Sequence, residues 1–172
     1  SWVTCVTPPS AKMGRKIAEV LKRHMPFMGE VLMGHLRYAT FGKNGEENCH
    51  PRRRLNNWIT RNLVVAGNFN MTNVDELFEL LVSIGQTPKE RSDTMTVLEK
   101  IGHFLDVEND RIAHHYRELG YDERRISQVI AEQLDVRRIL VNSALDFDGG
   151  YALAGMIGHG DAFVLRDPAG IR

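Results

Sequence analysis

Apolar residues recur along this chain with two different periods, and the periods separate helices from strands. At Met13, Ile17, Val20, Leu21 and Met25 the spacing is three or four residues, which predicts an amphipathic helix closed by Pro26. The same spacing returns at Val74, Leu77, Phe78, Leu81 and Ile84. There Asn73 and Glu76 resemble a capping box, and Gly85 supplies a C-terminal stop. A further helix is expected from Ser92 or Asp93, with Met95, Leu98, Ile101 and Leu105 on one face. Residues 106–140 are the most charged stretch; Ile126, Val129, Ile130 and Leu134 among them predict one or two surface-packed helices.

Shorter apolar runs predict strands. Residues 2–6, 30–38 (with Gly34 inside), 62–68, 151–157 and 162–166 fit this description, and 41–57 reads as loop. Asp148-Gly149-Gly150 turns into the fourth of these runs, and Gly158-His159-Gly160-Asp161 joins the last two as a hairpin. Strands, then a block of helices, then strands again point to an α+β fold rather than an alternating parallel sheet.

Composition narrows the function classes. Hydrophobic residues make up 42% of the 172 and charged residues 26%, which suits one soluble globular domain. Lys plus Arg balances Asp plus Glu at 22 each, so no global field favours nucleic acid or an anionic membrane. No run is long and apolar enough to span a bilayer. Two cysteines are too few for a disulfide framework, and a cytoplasmic location is the default expectation. Cys49-His50 has no second pair at zinc-site spacing, so no metal is expected. Arg52-Arg53-Arg54 lacks interleaved aromatics and reads as a solvated loop or a docking surface for another domain. The chain opens without Met in a β-favouring run and stops just after a turn, so it reads as a piece cut from a longer protein.

Three segments carry candidate chemistry. In Gly34-His35-Leu36-Arg37-Tyr38-Ala39-Thr40 an arginine stands at a strand tip close to a hydroxyl. Such a fork suits two parallel charge-assisted hydrogen bonds to a carboxylate, and equally a structural salt bridge. In Ala66-Gly67-Asn68-Phe69-Asn70-Met71-Thr72-Asn73 a strand is expected to turn into a helix. An Asn amide there can donate to a developing oxyanion, or simply shape the turn. In Arg91-Ser92-Asp93-Thr94 a carboxylate either caps a helix or receives an ammonium group. An arginine, an aspartate and an amide together suit the two charged ends of an amino acid and its side-chain carbonyl. No nucleophile follows from this set.

These segments, with Gly149-Gly150-Tyr151 and Arg166-Asp167-Pro168-Ala169-Gly170-Ile171-Arg172, resemble in their order the class II glutamine amidotransferases. The closing segment and the Thr-Asn turn are similar to the amidophosphoribosyltransferase branch. Other branches, the glucosamine-6-phosphate synthase and asparagine synthetase types, are the alternatives, as is a non-catalytic glutamine-binding module. The resemblance implies an N-terminal-nucleophile hydrolase fold, a four-layer αββα sandwich, here incomplete at both ends. Residues 1–172 then form a partial glutaminase domain with a helical insertion at about 106–140 and no phosphoribosyltransferase domain.

The resemblance also assigns roles. Arg37 matches the arginine that grips the glutamine α-carboxylate, with Thr40 lining the same pocket. Asp93 matches the aspartate that binds the α-ammonium. Asn68 and the backbone N–H of Phe69 match the oxyanion hole. Phe69 stands where the family has Gly, and a left-handed backbone there would strain Phe. The family's nucleophile is a Cys opening the mature chain, its own amine serving as base. Cys5 and Cys49 are internal, and the residues after Ser1 lack the family's Gly-rich opening, so the chain is expected to be inactive alone. The implied partners are glutamine, a phosphoribosyltransferase domain of the same parent (where Mg would bind) and a second copy in a homo-oligomer. No cofactor is expected in residues 1–172.

Overall fold

The structure is a computed structural model that describes Val20, His24, residues 31–36 and residues 49–171. Ser1–Pro51 and Arg52–Arg172 form separate compact units. The expected strand at 2–6 lies outside the described residues, and of the helix at 13–25 only Val20 and His24 are described, both helical. The buried strand expected at 30–38 is not found in its described part. Over residues 31–36 only Met33 makes a β-bridge, and Val31, Leu32 and Leu36 are exposed. An apolar run specifies burial only where another layer covers it, and periodicity does not report that layer.

In the second unit one four-stranded antiparallel sheet holds the order β1 (Arg52–Arg54), β2 (Leu63–Met71), β3 (Gly149–Ile157) and β4 (Ala162–Arg166). Between β2 and β3 run four helices: α1 (Val74–Ser83), α2 (Asp93–Glu118), α3 (Glu123–Gln133) and α4 (Val136–Ala144). The α+β class read from the sequence is the observed one. The tight β3–β4 hairpin also falls where Gly158–Asp161 placed it, the Ile157 N–H donating to the Asp161 carbonyl and the Gly160 N–H to the Ile157 carbonyl.

Residue alternation decides what each face carries. Leu63, Val65 and Met71 of β2 share a face with Tyr151, Leu153 and Ile157 of β3, and these join the helices in one buried core. Val64, Ala66, Asn68 and Asn70 face the opposite side beside Ala152, Ala154 and Met156. The two central strands approach so closely that a Cβ on Gly67 would lie 2.6 Å from the Ala152 carbonyl oxygen. Opposite Phe163, Gly155 leaves the space that the ring fills.

β2 is longer than its sequence suggests. Phe69 to Met71, past the expected strand end at 68, were expected to turn, yet they continue the ladder opposite Tyr151 to Gly149. Nine residues in register with β3 override the weak strand preference of Asn. α2 is longer too: it passes through residue 106 without a break to Glu118, where Gly120 (φ 80°) takes the left-handed conformation that ends it. Its buried stripe continues through Leu105, Ile112 and Ala113, and two of the buried polar residues beside it are paired. Buried Asn109 accepts from the Thr60 hydroxyl (2.5 Å) and donates to the Leu105 carbonyl (2.8 Å). Glu108 accepts from Arg111 on the same helix and lies 3.8 Å from Arg138 of α4.

Gly102 sits in mid-α2, where glycine costs about 1 kcal/mol relative to Ala. The missing Cβ admits Arg54 from β1, whose Cδ lies 2.5 Å from where that atom would be. Arg54 in turn donates to Asp106 (2.6 Å) and Glu99 (3.1 Å). Burial works against its charge, but the bonds and attraction of Asp106 and Glu99 outweigh it and hold the guanidinium above its ordinary pKa. One arginine thus fastens the edge strand to the long helix.

Candidate functional site

Two sequence-derived site elements meet at the C-terminal end of β2. Ser92 is the N-cap of α2, its hydroxyl accepting from the Met95 N–H at 3.4 Å, so Asp93 is the first residue of the helix. Its carboxylate is not used within the helix. Oδ2 accepts from the Met71 N–H at 3.0 Å, and Oδ1 accepts no hydrogen bond from the described residues.

That bond fixes a direction. In an antiparallel ladder successive N–H groups of a strand point alternately to its two sides. Thr72 N–H goes to the Asp148 carbonyl on the β3 side (3.0 Å), whereas Met71 N–H goes to Asp93. Two residues back, Phe69 N–H therefore points to the Asp93 side, about 7 Å along the strand from the Met71 bond. Phe69 itself is extended backbone opposite Tyr151, so the left-handed geometry that would strain it is not adopted.

The Asn68 side chain lies on the sheet face away from the helices. It is exposed, and its carboxamide makes no hydrogen bond among the described residues. A ladder on β3 thus holds its backbone while leaving the amide available to a ligand. Across the pair, burial pushes the Tyr151 phenol above its ordinary pKa and the charge of Asp167 adds to the shift. Arg37 and Thr40 lie outside the described residues. Within their segment, the His35 and His50 rings meet at 4.8 Å with a 42° tilt.

Asn73 does occupy the N-cap position of α1, but it does not form the expected capping box. Its carboxamide instead donates to the Asp146 carbonyl (2.8 Å) and accepts from the Asp148 N–H (3.3 Å). Thr72 adds a hydroxyl bond to the Asp148 carboxylate at 2.5 Å. The sequence reading missed this staple and the Lys100–Asp146 ion pair beside it. The one signal for the latter was a lysine inside the apolar stripe of α2.

The closing motif proves to be a built turn. Asp167, 3% exposed, accepts from the N–H groups of Tyr151 (3.3 Å) and Ile171 (2.8 Å). Arg166 donates to the Gly170 carbonyl (2.9 Å), and Gly170 adopts φ 67°. Asp, Gly and Arg thus each take part in the turn itself.

A helix-backed antiparallel sheet with this order of elements is similar in fold to a solved structure, the glutamine phosphoribosylpyrophosphate amidotransferase of B. subtilis in complex with ADP and GMP. The TM-score is 0.55 at 24% identity, over 86% of this chain and 25% of that one. The family model described as class-II glutamine amidotransferases matches residues 1–122. The chain belongs to that family. It is also 34% identical over 92 residues to a glutamine–fructose-6-phosphate aminotransferase (isomerizing) of Sulfurisphaera tokodaii, covering 52% of this chain and 15% of the relative. A putative enzyme of the same description from Saccharomyces cerevisiae is 29% identical over 117 residues, 67% of this chain and 15% of the relative. The chain thus spans about a seventh of the length of these relatives. No helix among the described residues is long and apolar enough to cross a membrane.

Proposed function

We propose that this chain is the glutamine-binding part of an amidotransferase that releases ammonia for a second domain. In this reading Asp93 receives the α-ammonium of glutamine through its open carboxylate oxygen, and Arg37 grips the α-carboxylate with Thr40 beside it. The Asn68 amide and the Phe69 N–H face the oxyanion that forms when the side-chain amide is attacked. The Asp93–Met71 bond carries the reading, because it places a carboxylate on the side of β2 to which Phe69 N–H points.

Both cysteines of the 172 residues are internal, with their amines tied into peptide bonds. Calorimetry on the purified chain is expected to give saturable binding of glutamine and glutamate without ammonia release. Asp93→Ala and Arg37→Ala should each weaken binding at least about tenfold, the loss of one charge-assisted contact. Affinity unchanged in both variants sinks the assignment, and steady ammonia release sinks the claim of inactivity.

For the parent we propose amidophosphoribosyltransferase, which would use the ammonia to aminate phosphoribosyl pyrophosphate in purine synthesis, with Mg in its transferase domain. The Arg166–Gly170 turn, the Thr72-Asn73 pair and the fold of the B. subtilis enzyme support it. The names of the sequence relatives favour a second reading, a glutaminase feeding hexosamine synthesis. Coding sequence downstream of Arg172 decides between them: a phosphoribosyltransferase domain for the first, a sugar isomerase domain for the second.

A further inference from the structure

Lys100 is a buried cation that the proposed glutamine chemistry does not use. Its side chain is 3% exposed, and its Nζ lies 2.5 Å from Asp146 Oδ2 and 5.4 Å from the centroid of the Phe147 ring. Val97, Leu98 and Ile101 around it on α2 are fully buried. Burying an ammonium costs several kcal/mol that its partner only partly returns, so the pair is weak ground for stability. What the ion pair adds is direction.

The direction is toward the candidate site. Lys100 lies seven residues after Asp93, two helical turns or about 10.5 Å along the axis and on nearly the same face. Asp93 reaches the end of β2 directly, at the Met71 N–H (3.0 Å). Lys100 reaches it indirectly: it holds Asp146, whose carbonyl accepts from Asn73 (2.8 Å), two residues beyond Met71. Asp148 reinforces the second route through the Asn73 carboxamide (3.3 Å) and the Thr72 N–H (3.0 Å). Gly149 closes it, since a Cβ there would lie 2.4 Å from the Asn70 carbonyl oxygen. The contacts form a ring: α2, Asp93, Met71, Asn73, Asp146, Lys100 and back to α2.

We infer that Lys100 is a positioning residue for the glutamine site, acting through Asp146 and Asn73 to hold the end of β2 in fixed register with the first turn of α2. The inference rests on the roles proposed for Asp93, Asn68 and Phe69. It adds that the spacing between these groups is set from the far side of the turn by a side chain that never meets the ligand. Removing the cation frees the Asp146 carboxylate to solvent, loosens the 146–148 segment from Asn73, and lets the Met71 N–H part from Asp93.

The full 172-residue chain, labelled with nitrogen-15, tests this in two variants. Lys100→Met removes the buried charge, and Asn73→Ala cuts the same ring at a half-buried position outside the apolar core. In both, the Met71 amide is expected to shift and to exchange about tenfold faster, while the amide of Leu105 in mid-α2 stays as in the parent chain. Glutamate affinity measured by calorimetry should weaken about tenfold in each folded variant. A Met71 amide that does not respond in either folded variant overturns the inference. So does a Met71 response with glutamate affinity intact. A parent chain that binds neither glutamine nor glutamate defeats the assignment of the site, and the Met71 amide then still decides whether the ring holds the strand end.

Discussion

Asn73, Asp93 and Lys100 show how little a residue's type says about its use. Each sits where local rules explain it: a cap, a first-turn acid, a lysine on a helix. Each directs its polar atoms instead to a segment remote in sequence. Local signals are what a sequence displays, so the cap at Ser92 and the stop at Gly85 were legible, whereas the Lys100–Asp146 pair, 46 residues apart, was not. Of the candidate site, the motifs nominated Asn68, Phe69 and Asp93, but the direction of Phe69 N–H needed the ladder. Elsewhere the same chemistry is local and testable. Arg117 donates two hydrogen bonds to Glu123, and these hold its carboxyl below the usual range, burial working weakly the other way. The folded value is the lower one, so any stability from this pair is present above the ordinary glutamate pKa and is lost as pH falls through the depressed value. A carbon-13 titration should place Glu123 below the other exposed glutamates, and Arg117→Met should return it; an ordinary value in the unaltered chain refutes the pairing.

At the scale of elements, close approach rather than propensity sets the pattern. The strand expected at 62–68 was correctly read as apolar, but its end was misplaced because Asn favours turns in isolation and the β3 ladder decides otherwise. Gly67 marks the tightest part of that ladder. Ala there must push its methyl against the Ala152 carbonyl oxygen at 2.6 Å and the Leu153 Cβ at 2.7 Å, backbone and buried core that do not yield easily. Gly67→Ala is therefore expected to destabilise the chain by about 1–3 kcal/mol, the usual cost of overpacking. Urea unfolding measures it, and a change under about 0.5 kcal/mol, the range of neutral surface changes, contradicts the packing account.

At the scale of the molecule, the α+β class was legible because strand and helix periods separate cleanly, and the family because several motifs occur in one order. The second sheet of the expected sandwich is not among the described residues. The arrangement past residue 122, where the family match ends, is two amphipathic helices, α3 and α4, packed on α2 through Ile126, Val129, Ile130 and Ile139. Their periodicity was visible and their docking partner was not. The sheet ends at β4, with no strand paired on its far side among the described residues and Val164 78% exposed. An open edge of this kind templates pairing with another chain. Light scattering at high concentration is expected to give a mass above that of the monomer, and Val164→Lys should lower it. A clean monomer throughout removes the homo-oligomer from the reading.

The missing methyl at residue 102 has a consequence for evolution of this scaffold. Helix propensity alone would favour alanine there, yet a side chain at 102 pushes the Arg54 guanidinium off its present path and lengthens its bonds to Glu99 and Asp106, the second of which keeps Arg61 at 3.6 Å. Position 102 is accordingly coupled to position 54: a side chain gained at 102 is felt first by the arginine that ties the edge strand down.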